Sequence, residues 1–194
     1  AALKKYSESR GIKLIGDMPI YVDADSSDFY YNNSLFLTDK EGNPAGVAGV
    51  PPDYFSADGQ LWGNPLYDYE KMESDGFAWW KRRVSKALEL FDGLRIDHFR
   101  GFESFFSVPS DAKTAREGKW VKGPGKKLID AIKSVSGEKL IIAEDLGDIT
   151  PEVKELVDYS GFPGMRVFQF AFLGGDNPHL PHNFEKNCVA YSGT

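Results

Sequence analysis

The sequence has little of what a cross-linked, membrane-spanning or nucleic-acid-binding protein needs. Its 194 residues hold a single cysteine, Cys188. That excludes an internal disulfide and leads us to expect a reducing, cytoplasmic location. No apolar run approaches the ~18 residues of a transmembrane helix. The opening Ala1-Ala2-Leu3-Lys4-Lys5 lacks the apolar stretch of a secretion signal. A net charge of −6 without any basic stripe argues against nucleic acid and an anionic membrane as partners. No Gly-x-Gly-x-x-Gly follows a strand-like run, so a dinucleotide cofactor is unsupported. His179 and His182 are set among Pro178 and Pro181, which rules out a helical metal-ligand pair.

What is present is a globular composition, 41% hydrophobic and 27% charged, with 14 Phe, 9 Tyr and 4 Trp. So many rings leave some for loops, where they offer flat faces to ligands.

Along the chain, strand-like and helix-like patterns alternate. Residues 1–10 read as a helix ending at Gly11, and 12–16 as a short buried strand running into Asp17. A long irregular stretch follows, from about 23 to 74; loops of that length inside domains are usually functional. Residues 76–91 form an amphipathic helix with Phe77, Trp80, Val84, Ala87, Leu88 and Phe91 on one face. Then come a strand at 92–97, a loop to about 124, a helix at 125–135 and a strand at 139–144. Thr150-Pro151 opens a further helix, and strands are expected at 165–172 and 187–192. Five strands alternating with helices suggest a parallel α/β architecture, a segment of a (β/α)8 TIM barrel with a long loop insertion after its first strand. A complete barrel takes about 250 residues. Residues 1–194 are therefore read as part of a catalytic barrel domain from a longer enzyme.

Charged residues end or lie within four strand-like runs: Asp17, Asp97, Glu144 and Arg166. In such barrels the C-terminal strand ends carry the chemistry. Arg95 and Asp97 are two apart on a strand and share a face, so a guanidinium keeps the carboxylate ionised, as a nucleophile requires. Glu144 ends the apolar face of Leu140 and Ile142, where partial burial raises its pKa and suits a general acid. Each also has a structural reading, as a strand-end salt bridge and as a loop anchor. Together, one charged and one proton-holding carboxyl match the division of labour in retaining glycosidases, whose carboxyls lie ~5–5.5 Å apart. Neighbouring strands are ~4.8 Å apart, so the geometry is reachable.

The loop at 49–67 carries Tyr54, Phe55, Trp62 and Tyr67 among Asp, Asn and Gln residues. Sugars offer C–H faces to rings and hydroxyls to such polar groups; a hydrophobic cluster under the loop is the other reading. Gly123-Pro124-Gly125-Lys126-Lys127 lacks the full phosphate-loop pattern and reads as a helix-start turn. Cys188 reads as inert core.

Several motifs in order then resemble one family. They are Gly16-Asp17-Met18-Pro19-Ile20-Tyr21-Val22, Gly49-Val50-Pro51-Pro52-Asp53-Tyr54-Phe55-Ser56 and Gln60-Leu61-Trp62-Gly63-Asn64-Pro65. Leu94–Gly101, Ala143-Glu144-Asp145-Leu146-Gly147 and Gln169-Phe170-Ala171-Phe172 complete the set. The chain is similar to the amylomaltases, or 4-α-glucanotransferases, of the α-amylase superfamily. The resemblance implies transfer of α-1,4-glucan segments between maltooligosaccharides, without metal or organic cofactor. It implies Asp97 as nucleophile, Glu144 as acid/base, Arg95 orienting Asp97, and Asp17 beside it in the sugar site. Asp53, Tyr54, Gln60 and Trp62 would form a loop over the acceptor side, with His98, Asp145 and Phe170 as further substrate contacts. The family's third carboxylate lies in a threonine–histidine–aspartate–asparagine run, which would begin at Thr194. These 194 residues alone are accordingly expected to have little activity, and an α-amylase-like hydrolase or a non-catalytic fragment are the alternatives.

Overall fold

A computed structural model describes residues 2–53 and 56–193. The strands are β1 (Ile15–Met18), β2 (Gly46–Val50), β3 (Gln60–Pro65), β4 (Gly93–Ile96), β5 (Ser104–Pro109), β6 (Lys119–Lys122), β7 (Leu140–Ala143), β8 (Gly164–Val167) and β9 (Cys188–Tyr191). The helices are α1 (Ala2–Ser9), α2 (Ser27–Tyr31), α3 (Tyr69–Ser74), α4 (Ala78–Leu90), α5 (Lys126–Ser136) and α6 (Pro151–Ser160). They fall into two compact units.

The first unit takes the chain up to Met18, Lys81–Arg100 and the chain from Ile132 onward. Its centre is a parallel sheet in the order β1-β4-β7, with Asp17 beside Arg95 and Arg95 beside Ile142. The β7 residue Ala143 donates its N–H to Pro163 O at 2.9 Å, just ahead of β8, and β8 pairs in parallel with β9. All four β8 residues are buried, as expected of a parallel strand covered on both faces. Gly16 is required within β1, because a Cβ there would lie 2.4 Å from the Phe91 ring. α6 is bounded as its sequence signals: Thr150 accepts from the Val153 N–H, Pro151 follows, and Gly161 closes the helix at φ 69°. Val153 and Leu156 form its buried face.

One strand is shorter than its apolar run. Residues 165–172 were expected to be extended throughout, but β8 stops at Val167 and Phe168–Leu173 turn into a 3-10 helix. Pairing with β9 ends at the same point, so the backbone beyond it satisfies its own hydrogen bonds locally.

The second unit consists of Pro19–Trp80 and Gly101–Ala131. Here the expectation of irregular loops is corrected. Two stretches without clear periodicity contribute β2 and β3, then β5 and β6, to an antiparallel sheet in the order β3-β2-β5-β6. The strands hid from pattern analysis because they contain glycine, proline and a register shift between Val47 and Gly49. Gly49 sits where a Cβ would meet Gln60 O at 2.4 Å. The same unit holds an aromatic core around Tyr67, which donates its hydroxyl to Ile20 O at 2.8 Å. Phe36, Trp79 and Trp80 have ring centroids 5.0, 5.4 and 5.5 Å from it. Gly125, at φ 55°, turns the chain into α5 as the helix-start reading requires.

The architecture is α/β with parallel and antiparallel sheets, resembling part of a larger barrel-type domain; no closed barrel is formed by the described residues. Among them, no helix is long and apolar enough to cross a membrane.

Candidate active site

At the C-terminal ends of β1, β4 and β7 the first unit gathers five of the residues singled out in the sequence. Backbone pairing continues past the strands: Asp97 N–H donates to Met18 O and Glu144 N–H to Ile96 O, both at 3.0 Å. Each carboxylate is thus held in register with the adjacent strand. The Arg95 guanidinium forks between Asp17 Oδ1 at 2.7 Å, through Nη1, and Asp97 Oδ1 at 2.8 Å, through Nη2. Its Nε–H donates to Met165 Sδ on β8 at 3.3 Å. Burial opposes the Arg95 charge, but the hydrogen bond to Asp17 and the charges of Asp97 and Asp17 outweigh it and raise its pKa.

Glu144 is held differently. Its Oε2 accepts the His98 N–H at 2.8 Å and its Oε1 the Leu146 N–H at 3.0 Å. Burial pushes its carboxyl up from the usual range, aided by the Asp97 charge and opposed by these two amides and Arg95. His98 has φ 50°, left-handed and uncommon for a residue with a Cβ. In that conformation its amide reaches Glu144. Burial, then the neighbouring Arg100, lowers the His98 ring to about 4, so it is neutral at physiological pH.

The remaining expected residues fall into separate places. Asp145 Oδ1 accepts the Met165 N–H at 2.6 Å and its Oδ2 pairs with Arg166 Nη1 at 3.0 Å, so both oxygens tie the end of β7 to β8. Phe170 lies in the 3-10 turn with its ring edge-on to His179, 5.4 Å between centroids. His179 Nδ1 accepts the Val167 N–H at 3.1 Å, which gives this histidine a structural role in holding β8. In the second unit, Trp62 donates its Nε1–H to Gln60 Oε1 at 3.1 Å, and its ring is 37% exposed. Asp53 Oδ1 accepts the Ser56 N–H at 2.7 Å. Tyr54 and Phe55 lie outside the described residues. Of the loop's two described rings, Tyr67 is core, as the hydrophobic-cluster reading has it, and Trp62 is partly exposed.

The family model described as 4-alpha-glucanotransferase matches residues 1–194, the whole sequence. The chain belongs to the 4-α-glucanotransferase family. It is 55% identical to the 4-alpha-glucanotransferase of Clostridium butyricum over 99% of its length, and 56% identical to the chloroplastic/amyloplastic enzyme of Arabidopsis thaliana. Among solved structures it is similar to the amylomaltase of Streptococcus agalactiae in complex with acarbose, with a TM-score of 0.95 at 43% identity. The chain spans 40% of the Clostridium protein, 34% of the Arabidopsis protein and 39% of the Streptococcus chain.

In this family member, sequence patterning missed Met165 and the Leu146 amide. A methionine inside a buried strand looks like packing, and backbone donors leave no trace in residue identity. The Asp145–Arg166 pair has both side chains only 10% exposed. Asp145→Ala leaves the buried guanidinium without its main partner and should cost about 3 kcal/mol. A lowered midpoint in thermal or denaturant unfolding would show it, and an unchanged midpoint would refute the structural role.

Proposed function

We propose that the protein carrying this chain is a 4-α-glucanotransferase that moves α-1,4-glucan segments between maltooligosaccharides by retaining double displacement. The supporting observation is the contrast between two carboxyls on neighbouring strand ends. Asp97 is ion-paired with a guanidinium and Glu144 is buried with its pKa raised. Arg95 binds Asp97 Oδ1, and Asp97 Oδ2 attacks the anomeric carbon. Glu144 gives its proton to the departing glycosidic oxygen. The result is a glycosyl ester on Asp97 with Glu144 ionised. Glu144 then takes the proton of an acceptor 4-hydroxyl, which displaces Asp97 and restores the starting configuration. All steps use side chains, so the chemistry calls for no metal or organic cofactor.

Asp17 sits in the sugar site beside Arg95, with His98 and Phe170 contacting substrate. Asp145 supports the site through β8 more than through the sugar. Asp53, Tyr54, Gln60 and Trp62 are the residues assigned to the acceptor glucan, and excluding water from the acceptor's place favours transfer over hydrolysis. The fold is a segment of a (β/α)8 barrel with its insertion at about 23–74. Parallel neighbours in chain order support this: β1, β4 and β7 in one sheet, then β8 and β9.

Incubated with maltotriose, the protein should yield glucose together with maltooligosaccharides longer than the starting trisaccharide. Chromatography decides between the readings. Glucose and maltose without longer chains would mean a hydrolase, and no products at all a non-catalytic glucan-binding protein.

A further inference from the structure

We infer that Met165 is a positioning residue for the carboxylate pair, its thioether fixing the plane in which Arg95 presents its two remaining arms. The inference rests on the double-displacement reading and deepens it. A guanidinium has five N–H donors in one plane, so three anchored directions fix both its place and its tilt. Two of the Arg95 anchors are poor fixtures: the side chains of Asp17 and Asp97 are 64% and 43% exposed. Exposed carboxylates in water hold a partner loosely, because solvent screens the attraction and the side chains keep rotational freedom. The third anchor is the opposite in kind. Met165 is 3% exposed, lies on a strand buried on both faces, and accepts the Arg95 Nε–H at 3.3 Å.

The thioether also suits the position chemically. Sulfur is a soft, neutral acceptor, so it satisfies Nε–H without competing for the positive charge that Asp17 and Asp97 share. A carboxylate there would draw the guanidinium away from the nucleophile. Met165 is in turn fixed from behind. Its N–H donates to Asp145 Oδ1 at 2.6 Å, and Asp145 is clamped by Arg166. Gly164 next to it is needed for that clamp, since a Cβ would fall 2.4 Å from Asp145 Oδ2. The order of support runs from Arg166 to Asp145, to Met165, to Arg95 and finally to Asp97. Met165 touches no reacting atom in this scheme, and its effect is on the orientation of the attacking oxygen.

The test is Met165→Leu in the whole protein, an exchange that nearly conserves volume and removes the acceptor. With maltotriose as substrate, kcat should fall about tenfold while KM stays the same, the signature of lost orientation rather than lost binding. Met72→Leu, the same exchange at a fully buried position in the second unit, serves as the packing control and should leave kcat unchanged. Wild-type kcat in Met165→Leu, or an equal loss in both variants, overturns the inference. Should Met165→Leu not fold, arginine-labelled native protein gives a second reading by NMR. The Arg95 Nε–H, assigned by its disappearance in Arg95→Lys, should exchange slowly with solvent, and rapid exchange overturns the inference too. Failure of the double-displacement reading shows elsewhere, as retained transfer in Asp97→Asn.

Discussion

Asp97→Asn should lower glucan transfer by about 10⁴-fold or more, because an amide cannot form the glycosyl ester on which the cycle depends. The substitution is suited to isolating chemistry from folding. Asparagine keeps an oxygen for the Arg95 Nη2 contact and leaves the backbone bond from residue 97 to Met18 O untouched. The thermal midpoint should therefore stay close to that of the parent while turnover disappears. Mass spectrometry after a brief reaction with an activated maltosyl donor should find no sugar on the peptide holding residue 97. Retained disproportionation of maltotriose would remove Asp97 as nucleophile, and with it the double-displacement scheme.

Glu144→Gln should have an effect that depends on the leaving group. On natural glucans, where the departing oxygen needs a proton, turnover should fall about 10³-fold. With a maltosyl fluoride, whose leaving group departs unprotonated, the first step should be nearly unaffected. The glycosyl ester on Asp97 should then accumulate, since no base remains to activate an acceptor hydroxyl. Azide needs no deprotonation and should release it as the α-maltosyl azide. The pH dependence follows from the raised pKa of Glu144, caused first by its burial. A general acid works only while protonated. Activity on natural glucans should therefore be present below the raised value and decline as pH rises through it, at a higher pH than an ordinary carboxyl would give. The variant should lack that alkaline decline in its reaction with the fluoride. Equal losses on both donors would reassign the acid.

The parallel part of the fold was legible because its strands are short apolar runs separated by helices with clean caps, as at Thr150-Pro151 and Gly161. The carboxylates were legible for the same reason: Asp97 and Glu144 stand where apolar runs end. The antiparallel sheet was not, because strands such as Gly46–Val50 and Gln60–Pro65 lack alternation and draw their order from partners distant in sequence. Asp145 shows the limit for site residues. The resemblance implies contact with sugar and its place after Glu144 puts it on the other face, but nothing in the residue pattern announces that its oxygens bind Met165 and Arg166. Trp62 and Tyr67 belong to one loop, and only tertiary structure separates the exposed ring from the core ring.

The left-handed turn at His98 bears on any attempt to transplant this chemistry. The amide that steadies Glu144 comes from the peptide immediately after the nucleophile, in a conformation that residues with a Cβ rarely adopt. A graft of the two carboxylates into another scaffold, each placed at a strand end with correct spacing, would bring a nucleophile but leave the acid with only its Leu146 donor. A portable unit must therefore carry the β4 end with its left-handed turn and the β7 end together, 93–100 with 140–146, along with Asp17 and Met165 that anchor Arg95. Within that unit, directed evolution at residue 98 would be expected to retune proton donation before it altered attack.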